Sequence, residues 1–456
     1  MSRRNEVVLK RAMQRAITLA QRGGAAVSPN PKVGAVLVHN GTIVAEGWHQ
    51  YFGGPHAECN CLTDAVRKGI NPENCTLVVT LEPCNHYGKT PPCSEAVLRA
   101  RVPDVVIGCV DPSPRAGGGA EFLRRNGVRV QVGVLEQECR DLVADFLHWQ
   151  ASDLPFLTLK MAASLDGFIA TRSGQSRWIT GAPARRRVHL LRAFHHAVLI
   201  GGGTLRADDP LLNVRLDDFD EPEEQYRRPG ESTAGSLPAQ GPLLSQRCCS
   251  GAHVDASGCS ATCFEGELAS LWLHPEPPQP LAQPVAVVLS SRKIDPDALP
   301  RLLVERGGAT IFVTQSGSGL SGQQELLEAH GARLLCLDLP DVPADFDLAR
   351  AGDGMFSSQA LREVLRLLRI RFGLHRILCE GGGCLGLNLL KAGLVQEFEL
   401  HQAALLMADR QAVPIFDGLA PAAVSDALKL QLLRVGRLGN DIIQNTDLVS
   451  RCLQDW

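Results

Sequence analysis

The chain has 456 residues, 45% of them hydrophobic and 21% charged, with a formal net charge of −3. That length accommodates two or three domains with their own cores, and the composition is typical of a soluble globular protein. The slight negative charge argues against extended nucleic-acid binding, which needs a basic footprint, and no apolar run approaches the ~20 residues of a membrane span.

The N-terminus and the cysteine content predict a cytoplasmic location. Helical periodicity begins close to Met1 and leaves no room for a signal peptide. The 15 cysteines are an odd number, and without a secretion signal they are expected as metal ligands and buried thiols in a reducing compartment. We therefore expect a cytoplasmic enzyme with a small-molecule substrate and with neither a nucleic-acid nor a membrane partner.

Residues 1–150 show the alternating pattern of an α/β domain. An amphipathic face through Val8, Ala12 and Ile17 predicts the first helix, and Asn40-Gly41 predicts a hairpin between two strands. The pattern then predicts helices at 56–68, 94–101 and 121–125, and strands at 33–38, 42–46, 76–80, 105–109 and 128–132.

Residues 151–456 are predicted to form a second α/β domain. Its predicted strands are 156–161, 197–200, 285–289, 310–314, 376–379 and 397–401, and its predicted helices are 184–194, 361–370 and 385–392. The stretch from about 217 to 284 is rich in Pro, Gly, Ser and Glu and has no sustained period. We predict that this insertion is mostly disordered.

Three potential metal ligands stand at predicted strand-to-helix junctions. His56 opens one helix, Cys84 follows a strand and Cys93 precedes the next helix, so two helix N-termini can converge on one ion. One histidine and two cysteines suit Zn²⁺ with a fourth position open to a water molecule, which the metal activates. Glu58 is then expected beside the metal, where it moves a proton between the water and a departing amine, as in zinc nucleobase deaminases.

A structural zinc site is the alternative interpretation of these residues. Such a site normally closes with a fourth protein ligand, for which Cys59 and Cys61 are the nearest candidates. Cys59 would compete with the acid–base role of Glu58, so both thiols are expected to face the core. The long spacer between Cys84 and Cys93 also separates this chain from deaminases with a short Cys-x-x-Cys motif.

Longer motifs around these residues carry a closer resemblance. They are Ser28-Pro-Asn-Pro-Lys-Val-Gly-Ala-Val-Leu-Val, Gly53-Gly-Pro-His-Ala-Glu and Leu81-Glu-Pro-Cys-Asn-His-Tyr-Gly-Lys-Thr-Pro-Pro-Cys. They resemble the deaminase half of the bifunctional riboflavin-biosynthesis deaminase–reductases, which implies a cytidine-deaminase-like three-layer α/β/α fold. The resemblance implies that His56, Cys84 and Cys93 bind zinc, that Glu58 is catalytic, and that the substrate contacts are Asn30, His49, His86, Lys89 and Asp111. The implied reaction is hydrolytic deamination of 2,5-diamino-6-(ribosylamino)-4(3H)-pyrimidinone 5′-phosphate.

A glycine-rich turn, Gly381-Gly-Gly-Cys-Leu-Gly, lies between a predicted strand and a predicted helix. Its G-x-G-x-x-G pattern suits a phosphate at a helix N-terminus. However, no acidic residue follows about 20 positions on at the end of a second strand, as a Rossmann site requires. The pattern alone therefore leaves a dinucleotide site open.

The second half resembles the reductase half of the same family. The motifs are Leu159-Lys-Met-Ala-Ala-Ser-Leu-Asp-Gly, Gly174-Gln-Ser-Arg-Trp-Ile-Thr-Gly and Gly203-Thr-Leu-Arg-Ala-Asp-Asp-Pro-Leu-Leu-Asn-Val-Arg. The resemblance implies a dihydrofolate-reductase-like α/β fold and NADPH-dependent reduction of a ribosyl to a ribityl group. The implied cofactor contacts are Ala162, Trp178, Thr204, Asp208, Ser291, Gly382, Gly383, Cys384, Leu385, Gly386, Leu387 and Asn388. The implied substrate contacts are Ser176, Arg192, Leu212, Arg215 and Glu380, of which the arginines suit a sugar phosphate.

Two other functions remain open at this point. The second half could be a nucleotide-binding or structural module without turnover, because Cys384 and the segment from His401 depart from the family pattern. The first half could deaminate nucleosides or tRNA, although the long cysteine spacer and the negative net charge count against this. We also expect a homo-oligomer.

Overall fold

The computed structural model describes residues 3–88, 91–111, 117–219, 272–338, 358–416 and 421–448. A five-stranded sheet organises the N-terminal part, and a nine-stranded sheet organises the rest. Among the described helices, none combines the length and the apolar composition that a bilayer crossing requires.

The N-terminal domain is a sheet covered by helices on both faces. Its helices are α1 (Arg3–Gln21), α2 (Ala57–Arg67), α3 (Cys93–Arg99), α4 (Gly119–Arg125), α5 (Glu136–Leu142) and α6 (Ala144–Ala151). Its strands are β1 (Gly34–His39), β2 (Thr42–Trp48), β3 (Thr76–Leu81), β4 (Asp104–Cys109) and β5 (Arg129–Val132), in the order β2-β1-β3-β4-β5. Strands β3, β4 and β5 run parallel, whereas β1 is antiparallel to both of its neighbours.

Alternation along the strands divides this core into two layers. In β1, Val36 packs with α1, α5 and α6, whereas Ala35 and Leu37 pack with α2, α3 and α4. Successive strand residues point to opposite faces, so each face buries its own apolar set. The predicted three-layer α/β/α arrangement is confirmed.

The C-terminal domain is built on a mixed sheet in the order β11-β10-β9-β8-β12-β6-β13-β16-β15. Its strands are β6 (Phe156–Ser164), β7 (Phe168–Ala170), β8 (Ala197–Gly201), β9 (Val285–Leu289), β10 (Thr310–Gln315), β11 (Arg333–Leu337), β12 (Arg376–Cys379), β13 (Glu397–Ala403), β14 (Val413–Pro414), β15 (Leu430–Leu438) and β16 (Asp441–Leu448). Its helices are α7 (Ala182–Ala193), α8 (Gly202–Asp208), α9 (Arg301–Arg306), α10 (Gln324–Ala329), α11 (Ser358–Phe372) and α12 (Gly383–Lys391). In this sheet order, the strands from β11 through β10, β9, β8, β12 and β6 to β13 run parallel to one another. Strands β16 and β15 form a ribbon that is added antiparallel to β13.

The ends of the predicted disordered insertion are structured. Asp217–Phe219 forms a turn of 3-10 helix. Leu273 is buried, and Glu276 forms ion pairs with Arg15 of α1 and with Arg22, which follows that helix. These ends of the insertion are ordered because an apolar side chain is buried and a charge complementary to α1 forms ion pairs. Residues 220–271, which hold the rest of the insertion, lie outside the described residues.

The two domains meet at the N-terminal ends of the C-terminal parallel strands. The carbonyl oxygen of His375, just before β12, accepts hydrogen bonds from Trp149 Nε1 (3.1 Å) and Phe156 N (2.8 Å). Arg376, the first residue of β12, pairs with Asp145 of α6. Because parallel strands share a direction, this contact lies at the opposite end of the sheet from Glu380, which follows the last residue of β12.

Candidate active sites

Three ligand atoms converge between α2 and α3. His56 is the N-cap residue of α2, Cys84 lies in the loop after β3, and Cys93 is the first residue of α3. His56 Nδ1 lies 3.5 Å from Cys84 Sγ and 3.3 Å from Cys93 Sγ. All three ligand atoms lie within 4.8 Å of one another, a spacing and donor set that fit a zinc ion.

Glu58 lies beside this cluster in the first turn of α2 and lines the adjoining cavity. It is only 3% exposed, and its burial raises the pKa of the carboxyl to about 7. A group that titrates near neutrality can both accept and return a proton. The structure therefore brings together the metal ligands and the acid–base residue that the sequence predicts.

A cavity of about 400 Å³ adjoins the cluster. The predicted substrate residues Asn30, His49, His86 and Asp111 all line it. Lys89, the remaining predicted contact, lies outside the described residues. The volume is within the range of small-molecule sites, so this cavity is the candidate substrate pocket.

His49 is held as a neutral hydrogen-bond acceptor toward the cavity. Its Nδ1 lies 2.9 Å from the carbonyl oxygen of Pro55 and donates to it, which leaves Nε2 to accept from Asn30 Nδ2 at 3.1 Å. Burial lowers the pKa of His49, which favours the neutral ring. The amide of Asn30 is thereby fixed at the cavity wall.

Sequence reasoning missed several residues of the cavity wall, among them Glu82, Phe146 and Gln150. Glu82 lines the cavity, and its carboxylate accepts the backbone N–H groups of Asp111 (3.1 Å) and Ala120 (2.8 Å). Its place in the Leu-Glu-Pro-Cys motif was an available signal. Phe146 and Gln150 of α6 also line the cavity, and nothing in the sequence near them points to a site.

Cys59 and Cys61, the two cysteines that follow Glu58, differ in burial. Cys61 is fully buried in the core, as predicted. Cys59 is only half-buried and hydrogen-bonds to the Cys93 side chain, which lowers the pKa of Cys59 to about 7. The prediction that Cys59 faces the core is therefore wrong, because its position on α2 turns it toward α3.

In the C-terminal domain, two glycine-rich turns meet at the ends of β8 and β12. Gly382 N donates a hydrogen bond to Thr204 Oγ1 at 3.1 Å, which joins two predicted cofactor residues. At Gly381, a Cβ would lie 3.0 Å from Ile200 Cα, so a side chain there would require the two turns to separate slightly. Gly382 caps α12 without a side chain, and the N–H groups at that helix start fit a phosphate group of a nucleotide.

Arg192 and Glu380 form a buried bidentate ion pair. Arg192 Nε and Nη2 donate to the two carboxylate oxygens at 2.6 and 2.8 Å, and each side chain is 12% exposed. Arg192 Nη1 donates to the carbonyl oxygen of Asn213 at 2.9 Å, and Arg215 hydrogen-bonds to the side chain of the same asparagine. Burial alone would raise the pKa of Glu380, but Arg192 reverses this and holds it below its ordinary value.

Lys160 is a further residue of this region that sequence reasoning did not assign. It lies on β6 and pairs in register with Glu399 of β13. Burial lowers its pKa, and the charges of Glu380 and Glu399 oppose that effect. A lysine in the quoted Leu-Lys-Met motif was the only signal available.

The other predicted reductase residues differ in accessibility. Trp178 is 64% exposed, with the guanidinium of Arg185 4.6 Å from its ring centre. Cys384 is exposed as well, whereas Ser291 is buried. The side chains of Leu212, Leu385 and Leu387 are also buried, so we expect those residues to contact a ligand through their backbones. Half-buried positions are Ala162, Ser176, Asp208 and Asn388.

Comparison with known families matches both halves of the chain. The family described as "RibD C-terminal domain" matches residues 155–444. The family described as "Cytidine and deoxycytidylate deaminase zinc-binding region" matches residues 7–109. A zinc-binding deaminase domain is therefore joined to a reductase-type domain in one chain.

Individual relatives agree with this division. The riboflavin biosynthesis protein RibD of Bacillus amyloliquefaciens is 30% identical over 94% of this chain and 94% of its own length. The Escherichia coli RibD is 45% identical over 48% of this chain, and that alignment covers 60% of the E. coli protein. A deaminase/reductase structure from Thermotoga maritima is 28% identical, covers 97% of this chain and 99% of its own, and has a TM-score of 0.68.

The chain belongs to the RibD family of bifunctional riboflavin-biosynthesis deaminase–reductases. The predicted α/β folds, the predicted enzyme class and the predicted zinc and NADPH cofactors agree with this membership. The alternative of a second half that is only a nucleotide-binding or structural module is not favoured, because the reductase-type family matches residues 155–444.

Proposed function

We propose that the chain catalyses two consecutive steps of riboflavin biosynthesis. The first is zinc-dependent hydrolytic deamination of 2,5-diamino-6-(ribosylamino)-4(3H)-pyrimidinone 5′-phosphate. The second is NADPH-dependent reduction of the ribosyl group to ribityl. The observation that carries the proposal is the convergence of His56, Cys84 and Cys93 with Glu58 at one cavity.

In the deaminase site, His56, Cys84 and Cys93 would hold the zinc ion, which lowers the pKa of a water molecule and stabilises developing negative charge. Glu58 removes a proton from the attacking water as the C–O bond forms. It then delivers that proton to the departing nitrogen as the C–N bond breaks and ammonia leaves. Asn30, His49, His86, Lys89 and Asp111 would position the pyrimidine.

In the reductase site, a hydride from NADPH would add to C1′ of the opened sugar, and a proton would add to the attached nitrogen. The start of α12 and the neighbouring turn would bind the cofactor phosphates through backbone N–H groups. Arg192 keeps Glu380 ionised at the end of β12, where its oxygens can accept hydrogen bonds from the ribosyl hydroxyls. The proposed division is 1–150 for the deaminase domain and 151–456 for the reductase domain.

The proposed activities are tested by coupled turnover with the complete chain. Incubation with the diamino substrate and NADPH should release ammonia and give the ribityl product. Removal of zinc with a chelator should abolish ammonia release, and added Zn²⁺ should restore it. Reduction of the separately supplied deaminated intermediate should persist without zinc, because the metal ligands belong to the other domain.

Specific outcomes would contradict the proposal. Ammonia release without NADPH oxidation on the deaminated intermediate would support a second half that lacks turnover. Deamination of cytidine or tRNA adenosine in place of the diamino substrate would indicate a nucleobase deaminase of another class.

A cytoplasmic location also stays a proposal, supported by ten free cysteines among the described residues.

We propose a homo-oligomer formed through β15. Among the described residues this strand has a partner on one side only, and edge strands of this kind pair readily with another chain. Leu430, Leu432, Leu433 and Val435 on it are 41%, 54%, 51% and 51% exposed. We expect light scattering to show a dimer or larger assembly, and Leu432→Lys combined with Leu433→Lys to give monomers. A monomeric wild-type protein at micromolar concentration would refute this assembly.

A further inference from the structure

Helix α6 belongs to the deaminase domain, but the reductase domain holds it in place. Trp149 Nε1 donates to the carbonyl oxygen of His375, and Arg369 of α11 donates to the carbonyl oxygens of Trp149 (3.4 Å) and Leu154 (2.9 Å). The same helix contributes Phe146 and Gln150 to the deaminase cavity. One wall of the first active site is therefore anchored on the other domain.

A buried ion triad, formed by Asp145, Lys32 and Arg376, lies at this contact between the domains. Asp145 Oδ2 accepts from Arg376 Nη1 of β12 at 2.6 Å and from Lys32 Nζ of the deaminase domain. Asp145 is 3% exposed, and the Lys32 and Arg376 side chains are 11% and 15% exposed. Removing one partner of a buried ion pair leaves an uncompensated charge, so the three groups constrain one another strongly.

Both deaminase members of the triad adjoin the cavity wall. Asp145 precedes Phe146, and Lys32 lies between Pro31 and Val33. The cavity is lined by Phe146, Pro31 and Val33. The zinc ligands and Glu58 are carried instead by α2, the loop after β3 and α3. None of the contacts described for the triad reaches these elements. The triad therefore adjoins wall residues that are carried by elements other than those of the metal ligands and Glu58.

We propose that Arg376 of the reductase domain is a positioning residue for the deaminase site, where it fixes the cavity wall through Asp145 and Lys32. This inference rests on the proposed deaminase activity. Since the triad adjoins the wall and not the metal cluster, its loss should weaken binding of the substrate in the ground state and transition state alike. Such a change raises KM and leaves kcat unchanged.

The test is steady-state kinetics on the complete zinc-loaded protein. Arg376→Gln is expected to raise the deaminase KM for the diamino substrate by about tenfold, because the binding that is lost is shared by the ground state and the transition state. Its deaminase kcat, zinc content and reductase kinetics should stay as in the wild type. Arg376→Lys retains the positive charge and should restore the KM. If Arg376→Gln does not fold, the isosteric Asp145→Asn cuts the same pair from the deaminase side and carries the test.

A matched control is Glu276→Gln, which removes a different ion contact between the domains. Glu276 pairs with Arg15 and Arg22, and none of these three residues lines the cavity. This variant should keep the wild-type deaminase KM. An unchanged KM in Arg376→Gln, or an equal change in Glu276→Gln, would refute the positioning role, as would a parallel fall of both activities with the melting temperature. Absence of deamination in the wild-type protein would instead refute the proposed function.

Discussion

Glu58→Gln is expected to lower the deaminase kcat by about 10²–10⁴-fold, the usual contribution of a general acid–base residue. Glutamine keeps the size and polarity of the side chain but cannot take a proton from water and return it to the departing nitrogen. The measurement is ammonia release under saturating diamino substrate. Zinc content should not change, because the ligand atoms come from His56, Cys84 and Cys93.

Two controls make this result specific. Asp64→Asn removes another carboxylate of α2, which pairs with Lys68 and does not line the cavity, and it should leave deamination essentially unchanged. Reduction of the deaminated intermediate should also be unaffected in Glu58→Gln. Wild-type ammonia release from this variant would eliminate Glu58 as the proton carrier, and loss of zinc from it would show a structural role at the metal site.

The metal cluster could be predicted because its chemistry is local. His56 and Cys93 each start a helix and Cys84 follows a strand, so residue type and predicted element together placed three ligands at one edge of the sheet. The three-layer fold followed from the same alternation of helices and strands. The contribution of Phe146 and Gln150 to the cavity could not be predicted, since it depends on the packing of α6 against a second domain.

In the reductase region, too, contacts that depend on tertiary packing could not be predicted. The family resemblance implied Arg192 and Glu380 separately, as substrate contacts. The two residues are 188 positions apart, and only the parallel arrangement of β8, β12 and the preceding α7 brings them into a bidentate pair. The ribbon of β15 and β16 was also unpredicted, because exposed leucines in consecutive positions do not give the alternation of a half-buried strand.

The ion pair of Arg192 and Glu380 is expected to affect the stability of the reductase domain as well as its activity. Arg192→Met leaves the Glu380 carboxylate buried without its partner, which costs about 3–5 kcal/mol for pairs of this kind. We expect the free energy of unfolding of the reductase domain to fall by that amount and reduction of the deaminated intermediate to be lost. Denaturant titration and NADPH oxidation measure the two effects. Ammonia release should persist, because the pair lies at the far end of the sheet from the deaminase domain.

A double variant separates stability from chemistry. Combining Arg192→Met with Glu380→Gln removes the stranded charge, so much of the lost stability should return while reduction stays absent. The matched control is Arg366→Met, which breaks an Arg–Glu pair of similar geometry with Glu363 on the exposed face of α11. An exposed pair of this kind contributes little to stability, so this variant should keep both activities. Recovery of reduction in the double variant would show that the ionised Glu380 carboxylate is dispensable and that Arg192 acts only by neutralising it.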